Sequence, residues 1–220
     1  MNQMVKIYLV RHAEAQGNVE EFFQGHIDTD VSEKGRKQLE CLAERFKDIP
    51  IEEVYTSPLR RARATAEAVN KYHRLPLTVD PHIIEIYAGD WEGVRWSELP
   101  EKFPHEYELW SKQINKFKAP HGESTRQVYD RMKLAMRNIA AENNGKTIAV
   151  ISHGMAIKAY LNYADGREWE NYAGPGWSDN TAVSLIEYDD ELMPHIIFKN
   201  DSSHLKDGLS TLAVSKWCKK

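Results

Sequence analysis

The run Thr147-Ile148-Ala149-Val150-Ile151-Ser152 leaves few folds open. An apolar stretch of strand length that does not alternate is buried on both faces, which marks a central strand of a parallel sheet. Helices must then cover both sides of that sheet, so the chain reads as an α/β protein. A second such run, Val5-Lys6-Ile7-Tyr8-Leu9-Val10, reads as the first buried strand. Both runs end in groups that are costly to place in a core. Arg11-His12-Ala13-Glu14 follows the first and His153-Gly154 follows the second. In open α/β sheets the carboxyl ends of the strands form the mouth where ligands bind.

The intervening pattern supplies the other strands and helices. Ala15 begins a long polar loop that contains Asn18 and runs to Asp30. Ser32 reads as the N-cap of a helix with Leu39, Leu42, Ala43 and Phe46 on its apolar stripe. Residues 53–56 form a second strand. Ser57-Pro58 then predicts a helix start, with Ser57 as N-cap and Pro58 as first helical residue. Residues 76–80 read as a third strand. Phe103, Tyr107, Trp110, Ile114 and Phe117 predict one amphipathic helix. It lies in an insertion at about 95–123 that is a candidate helical lid. Ser124-x-x-Gln127 is a capping box before a long helix. A helix after His153-Gly154, a loop at 173–179 and a hairpin of 182–188 with 194–199 complete the pattern. The tail 201–220 is weakly patterned beyond a short helix. With no repeat or linker, residues 1–220 read as a single domain.

Several function classes are excluded or weakened. Hydrophobic residues at 41% and charged residues at 28% describe an ordinary globule, with no apolar run of membrane-spanning length. The start of the chain has no secretory pattern. Cys41 and Cys218 share no redox or metal-ligand spacing, so a reduced, cytoplasmic setting is expected. A net charge of −4 without a basic stripe argues against nucleic acid, and the nine histidines show no metal-ligand spacing. Neither metal nor cofactor is expected. A homodimer is left open.

Arg11-His12, Arg60 and His153 each follow a strand or open the helix after one, so in a parallel sheet they converge on one edge. Cations crowded at a helix start are unfavourable unless an anion joins them. Guanidinium forks match phosphate oxygens in pairs, so the cluster is phosphate-shaped. Arg61 and Arg63 read instead as a solvated basic face.

The residues that carry these features also resemble a known family. Arg11-His12-Ala13-Glu14, Thr56-Ser57-Pro58-Leu59-Arg60-Arg61-Ala62 with Thr65-Ala66, Glu85 before Gly89-Asp90-Trp91-Glu92-Gly93, Gly122-Glu123-Ser124 and Ser152-His153-Gly154 are similar to the histidine phosphatase superfamily, also called phosphoglycerate mutase-like. The resemblance spans residue 5 to about 188. It implies a mixed, mostly parallel sheet flanked by helices, and phosphoryl transfer through a phosphohistidine without metal. Two departures stand out from the usual Arg-His-Gly-Glu-Thr opening: Ala13 replaces the glycine and Ala15 the hydroxyl residue. Ile86-Tyr87-Ala88-Gly89-Asp90-Trp91 looks like the phosphatase branch.

On this resemblance His12 is the nucleophile, and Arg11, Arg60 and His153 hold phosphate. Glu85 is the general acid, with Glu14 as the alternative. Asn18, Gly154, Asn180 and Thr181 are phosphate or substrate contacts. The implied partner is a small phosphate monoester, and the lid candidates Trp96, Phe103, Tyr107, Trp110 and His121 suggest one with an apolar or ring portion. Two other functions stay open: a phosphoglycerate mutase-type transferase and a non-catalytic phospho-ligand binding protein.

Overall fold

The computed structural model describes residues 4–172, 176–206 and 208–213. The chain runs through β1 (Val5–Arg11), α1 (Gln16–Val19), α2 (Glu33–Phe46), β2 (Glu53–Thr56), α3 (Arg60–Val69) and β3 (Leu77–Val79). It continues through α4 (Leu99–Lys102), α5 (Pro104–Lys112), α6 (Thr125–Glu142), β4 (Thr147–Ser152), α7 (Gly154–Ala164), β5 (Val183–Tyr188) and β6 (Pro194–Asp201). The sheet has the order β3-β2-β4-β1-β5-β6. The first four strands of that order are parallel, and β5 and β6 are antiparallel additions. It is a mixed, mostly parallel sheet.

Alternation within the central strands builds the two layers. Ile7, Leu9, Ile148 and Val150 pack into one buried cluster with Val128, Met132 and Met136 of α6 and Ile157 of α7. Val10, Ala149 and Ile151 face the other way, onto Leu42 and Phe46 of α2 and Ala62, Ala66 and Val69 of α3. Leu42 and Phe46 are wholly buried, and burial of such side chains stabilises by about 1.5–3 kcal/mol each. Gly35 lets α2 approach the turn after β1, since a Cβ there would lie 2.1 Å from the Glu14 carbonyl oxygen.

The helix caps explain one agreement and one difference. Ser32 caps α2 by accepting from the Gly35 N–H at 2.9 Å, and Ser124 with Gln127 caps α6. α3, however, starts at Arg60 with Leu59 as its N-cap, two residues later than Ser57-Pro58 predicts. The Ser57 hydroxyl is occupied by His153 at 2.7 Å and lies 3.5 Å from the Leu59 N–H, too far to cap well.

The aromatic stripe 103–117 is not one helix. Phe103 (φ −138°, ψ 61°), before Pro104, separates α4 from α5, and the stripe itself breaks at Gln113 (φ −142°, ψ 55°), which ends α5 before a 3-10 turn at Ile114–Lys116. Phe103, Tyr107 and Trp110 still pack on the main cluster beside buried Ile114 and Phe117. Residues 202–206 and 208–213 of the tail run as turns and irregular chain, and 214–220, with Cys218, lie outside the described residues. So do 173–175 of the loop before Asn180. Among the described residues, no helix is long and apolar enough to cross a membrane.

Candidate active site

Strand order sets the site. β2, β4 and β1 are consecutive neighbours with parallel direction, so Ser57, His153 and His12, each the first residue after its strand, fall in a row. Ser57 Oγ lies 2.7 Å from His153 Nε2. The rings of His153 and His12 are 5.1 Å apart between centroids. The His12 N–H donates to the Ser152 carbonyl at 3.0 Å, which ties the first turn residue to the neighbouring strand end.

His12 is oriented by its own turn. Nδ1 lies 2.7 Å from the Ala13 carbonyl oxygen. A carbonyl can only accept, so Nδ1 carries the proton of the neutral ring and Nε2 keeps its lone pair. Burial, then the charges of Arg61 and Arg11, hold the His12 pKa well below 6.5, against the smaller opposing effect of the Ala13 hydrogen bond. His153 is likewise held well below 6.5 by burial first, and then by Arg61 and by His12.

This has a consequence for pH dependence. Below about 6.5 the unfolded chain takes up a proton on each imidazole that the native state refuses. Stability present above that pH is therefore lost as pH falls, by up to about 1.4 kcal/mol per pH unit for each ring. NMR titration should find both rings neutral at about pH 6. A midpoint near 6.5 for either ring would contradict their buried, cation-flanked setting.

The two arginines of the cleft are Arg11 and Arg61. Arg11 is buried and its Nη1 donates to the Ser178 carbonyl at 2.5 Å. Arg61 is 1% exposed. Its Nη1 and Nη2 donate to the carbonyls of Ile27 and Gly25, both at 2.8 Å. Burial pushes Arg61 down to about 10 despite the nearby Glu85 and Asp28 carboxylates, so it stays cationic at neutral pH. Arg11, His12 and Arg61 line a cleft together with Asn18, Glu85 and Gly154. Phe22, Phe23, Trp96, Trp110 and Trp177 add an aromatic wall to it.

Arg60 corrects the expectation. Its side chain is 57% exposed and pairs with Asp30 at 3.0 Å and Asp28 at 3.6 Å, outside the cleft. The cause is helix phase. Arg61, Ala62, Thr65, Ala66 and Val69 share the buried face of α3, and one residue turns a helix by about 100°. The available signal was the spacing of Arg61 four residues before Thr65. Thr65 Oγ1 accepts from the Ala13 N–H at 3.0 Å and donates to the Arg61 carbonyl at 2.7 Å, which joins α3 to the turn after β1.

Glu85 reaches the cleft from the segment after β3. Its carboxylate accepts from the N–H groups of Met155 at 3.1 Å and Ala156 at 3.2 Å, in the first turn of α7. Its carbonyl accepts from Arg131 Nη2 and from the His26 ring, each at 2.9 Å. Arg131 is held in turn by Glu123 at 2.9 Å. Glu14 turns away from the cleft. It accepts from Ser32 Oγ at 2.7 Å and pairs with Lys34 at 3.2 Å.

The remaining expected contacts divide into two groups. Asn18 lines the cleft while its Oδ1 accepts from the Ala15 N–H at 3.0 Å. Gly154, the first residue of α7, lines it beside the Arg11 guanidinium. Asn180 and Thr181 do not line it. Asn180 Nδ2 donates to the His12 carbonyl at 2.9 Å, and the Thr181 N–H donates to the Arg11 carbonyl at 3.1 Å. They brace the backbone behind the site. Among the described residues, no group of three or more His, Cys, Asp or Glu side chains is placed to hold a metal ion.

Residues 7–201 match the sequence profile of the histidine phosphatase superfamily, branch 1. The chain belongs to the histidine phosphatase superfamily. A Hydrogenobacter thermophilus relative of this superfamily member, named phosphoserine phosphatase 1, is 32% identical over 206 residues, covering 92% of this chain and 95% of its own. An Arabidopsis thaliana protein named metal-independent phosphoserine phosphatase is 34% identical over 162 residues, 72% of this chain and 68% of that one. The solved structure of Bacillus stearothermophilus YhfR superposes with a TM-score of 0.87 at 29% identity, covering 92% of this chain and 100% of that one. Phosphomonoester hydrolysis by way of a phosphohistidine is the activity of this histidine phosphatase that its relatives support.

Proposed function

We propose that His12 is the nucleophile of this phosphatase and that its substrate is a small phosphate monoester with an apolar or ring-bearing alcohol. The observation that carries the reading is a neutral His12, its Nδ1 anchored on Ala13, beside two buried guanidinium groups in an aromatic-walled cleft. His12 Nε2 gives its lone pair to phosphorus while the ester P–O bond breaks. Arg11 and Arg61 bind the non-bridging oxygens and balance the charge that spreads over them, with His153 completing the cluster. Glu85 protonates the departing alkoxide. Water then attacks the phosphohistidine, gives its proton to the Glu85 carboxylate and breaks the P–N bond to release inorganic phosphate. Asn18 and Gly154 contact the phosphoryl group or the alcohol.

Segment 95–123 is part of the same proposal, as a lid within a single domain: Trp96 and Trp110 stand over the leaving group. Among the described lining residues, the cations are Arg11 and Arg61 beside the His12 ring, and the rest of the lining is neutral apart from Glu85. Once phosphate is bound, the described lining residues offer a carboxylate-bearing alcohol no further cation, which favours a neutral alcohol over a phosphoglycerate and hydrolysis over a mutase cycle. That the two cysteines, Cys41 and Cys218, share no redox or metal-ligand spacing supports a cytoplasmic setting.

Phosphate release from benzyl phosphate, propyl phosphate, phosphoserine and 3-phosphoglycerate, each with and without chelator, tests this reading. Benzyl phosphate should be hydrolysed with the highest kcat/KM, and chelation should leave every rate unchanged. No release from any ester, an absolute need for a diphosphorylated primer, or a chelator loss reversed by Mg²⁺ would contradict it.

A further inference from the structure

The backbone of Arg11 and His12 is braced by Asn180 and Thr181, and that brace is itself under strain. Thr181 has φ +59°, a left-handed conformation that β-branched residues rarely adopt. Such a residue persists only where its surroundings over-determine it. The turn is closed by the Ala182 N–H on the Asp179 carbonyl at 3.1 Å and by the Asn180 N–H on Asp179 Oδ1 at 2.9 Å. Asp179 is 4% exposed, and the rest of its carboxylate is satisfied from the far end of the chain. Oδ1 accepts from the N–H groups of Thr211 at 2.9 Å and Leu212 at 3.2 Å, and Oδ2 accepts from Ser210 Oγ at 2.5 Å.

The same stretch reaches the other flank of the turn after β1. Thr211 Oγ1 donates to Glu14 Oε2 at 3.2 Å and accepts from Gln38 Nε2 at 3.1 Å. Gln38 Oε1 accepts from the Glu14 N–H at 2.8 Å. Residues 210–212 thus clip together the two ends of the bracing: Glu14, two residues after His12, and Asp179, one residue before the Asn180 that holds the His12 carbonyl.

We infer that Asp179 is a positioning residue for the nucleophile, and that residues 210–212 are the clip that holds it. The inference rests on the reading of His12 as nucleophile. Asp179 touches neither the cleft nor the reacting atoms; it acts through Asn180 on the backbone of His12. Displacing a nucleophile by about 1 Å is enough to cost about 100-fold in rate.

The test is single-turnover formation of phosphohistidine by the full-length chain, with propyl phosphate and with nitrophenyl phosphate. Asp179→Asn keeps one oxygen for the three N–H groups but removes the negative charge that strengthens all four hydrogen bonds, and it replaces Oδ2, the acceptor for Ser210 Oγ, by an NH2 group. It should slow phosphorylation by about 10- to 100-fold, by the same factor for both esters, because both need a placed nucleophile. Substrate affinity should stay within about threefold of the original, which separates a positioning role from a binding one. Ser210→Ala, which removes one of the four bonds, should give a smaller loss of the same pattern. Asp179→Asn that is phosphorylated at the original rate, that loses affinity alone, or that slows with only one ester overturns the inference. Should Asp179→Asn not fold, Ser210→Ala decides, and an unchanged rate there overturns it. An unmodified protein that never becomes phosphorylated on His12 would instead overturn the nucleophile reading, so the two failures are distinct.

Discussion

Replacing Glu85 with glutamine is expected to slow phosphohistidine formation from an alkyl phosphate by about 100- to 10,000-fold and from nitrophenyl phosphate only slightly. An alkoxide leaves as a strong base and needs a proton; a nitrophenolate leaves as a weak base and hardly needs one. Glutamine preserves the shape of Glu85 and one oxygen to accept from the first turn of α7, where the carboxylate meets the Met155 and Ala156 N–H groups. The cleft therefore keeps its outline while it loses its proton donor. Single-turnover measurement with both esters is needed, because hydrolysis of the phosphohistidine in the steady state can hide the difference. Equal losses for both esters would make Glu85 a binding or packing residue. Glu14 is poorly placed to take its part, since it is turned onto Ser32 and Lys34.

Replacing Arg61 with alanine is expected to lower kcat/KM by about 100- to 1,000-fold, the loss of one preorganised charge contact. Replacing Arg60 should change it by less than about threefold, as expected for a solvent-screened surface pair. The neighbours differ in environment and not in chemistry. Arg61 is 1% exposed with its fork fixed on Gly25 and Ile27, whereas Arg60 extends to Asp28 and Asp30 at the surface. Arg61→Lys should recover only part of the loss, because an ammonium cannot reproduce the paired donors. Arg61→Ala also leaves the two loop carbonyls without their donor, so Tm must be recorded beside the kinetics. A larger loss at Arg60 than at Arg61 would reverse the assignment.

The parts of the site legible in the sequence were those set by strands. An apolar run such as 147–152 fixes where a buried strand ends, and the polar residue after it is delivered to the mouth of the sheet. His12 and His153 are read that way; Ser57 after β2 reads only as a helix cap, and its hydroxyl goes to His153 instead. The choice between Arg60 and Arg61 depends on helix phase. A start shifted by two residues, forced by the competing bond to Ser57, is invisible in the local pattern. Asn180 and Thr181 were misplaced for a different reason. They sit beside the site but act on backbone groups 168 and 170 residues away, and only the pairing of β5 with β1 brings those together. The aromatic stripe packs on the core as its spacing suggests, but its break at Gln113 has no signal in that spacing, whereas the turn at Phe103 before it follows from the restriction that Pro104 places on the preceding residue.

The account depends most on His12 carrying the phosphoryl group. Rapid quenching of the enzyme with labelled alkyl phosphate, followed by peptide mapping at alkaline pH, measures this directly. A transient, acid-labile and base-stable adduct on His12, formed at least as fast as phosphate is released and absent in His12→Ala, is the predicted result. Release of phosphate at the full rate by His12→Ala, or an adduct mapped to any other residue, would contradict it.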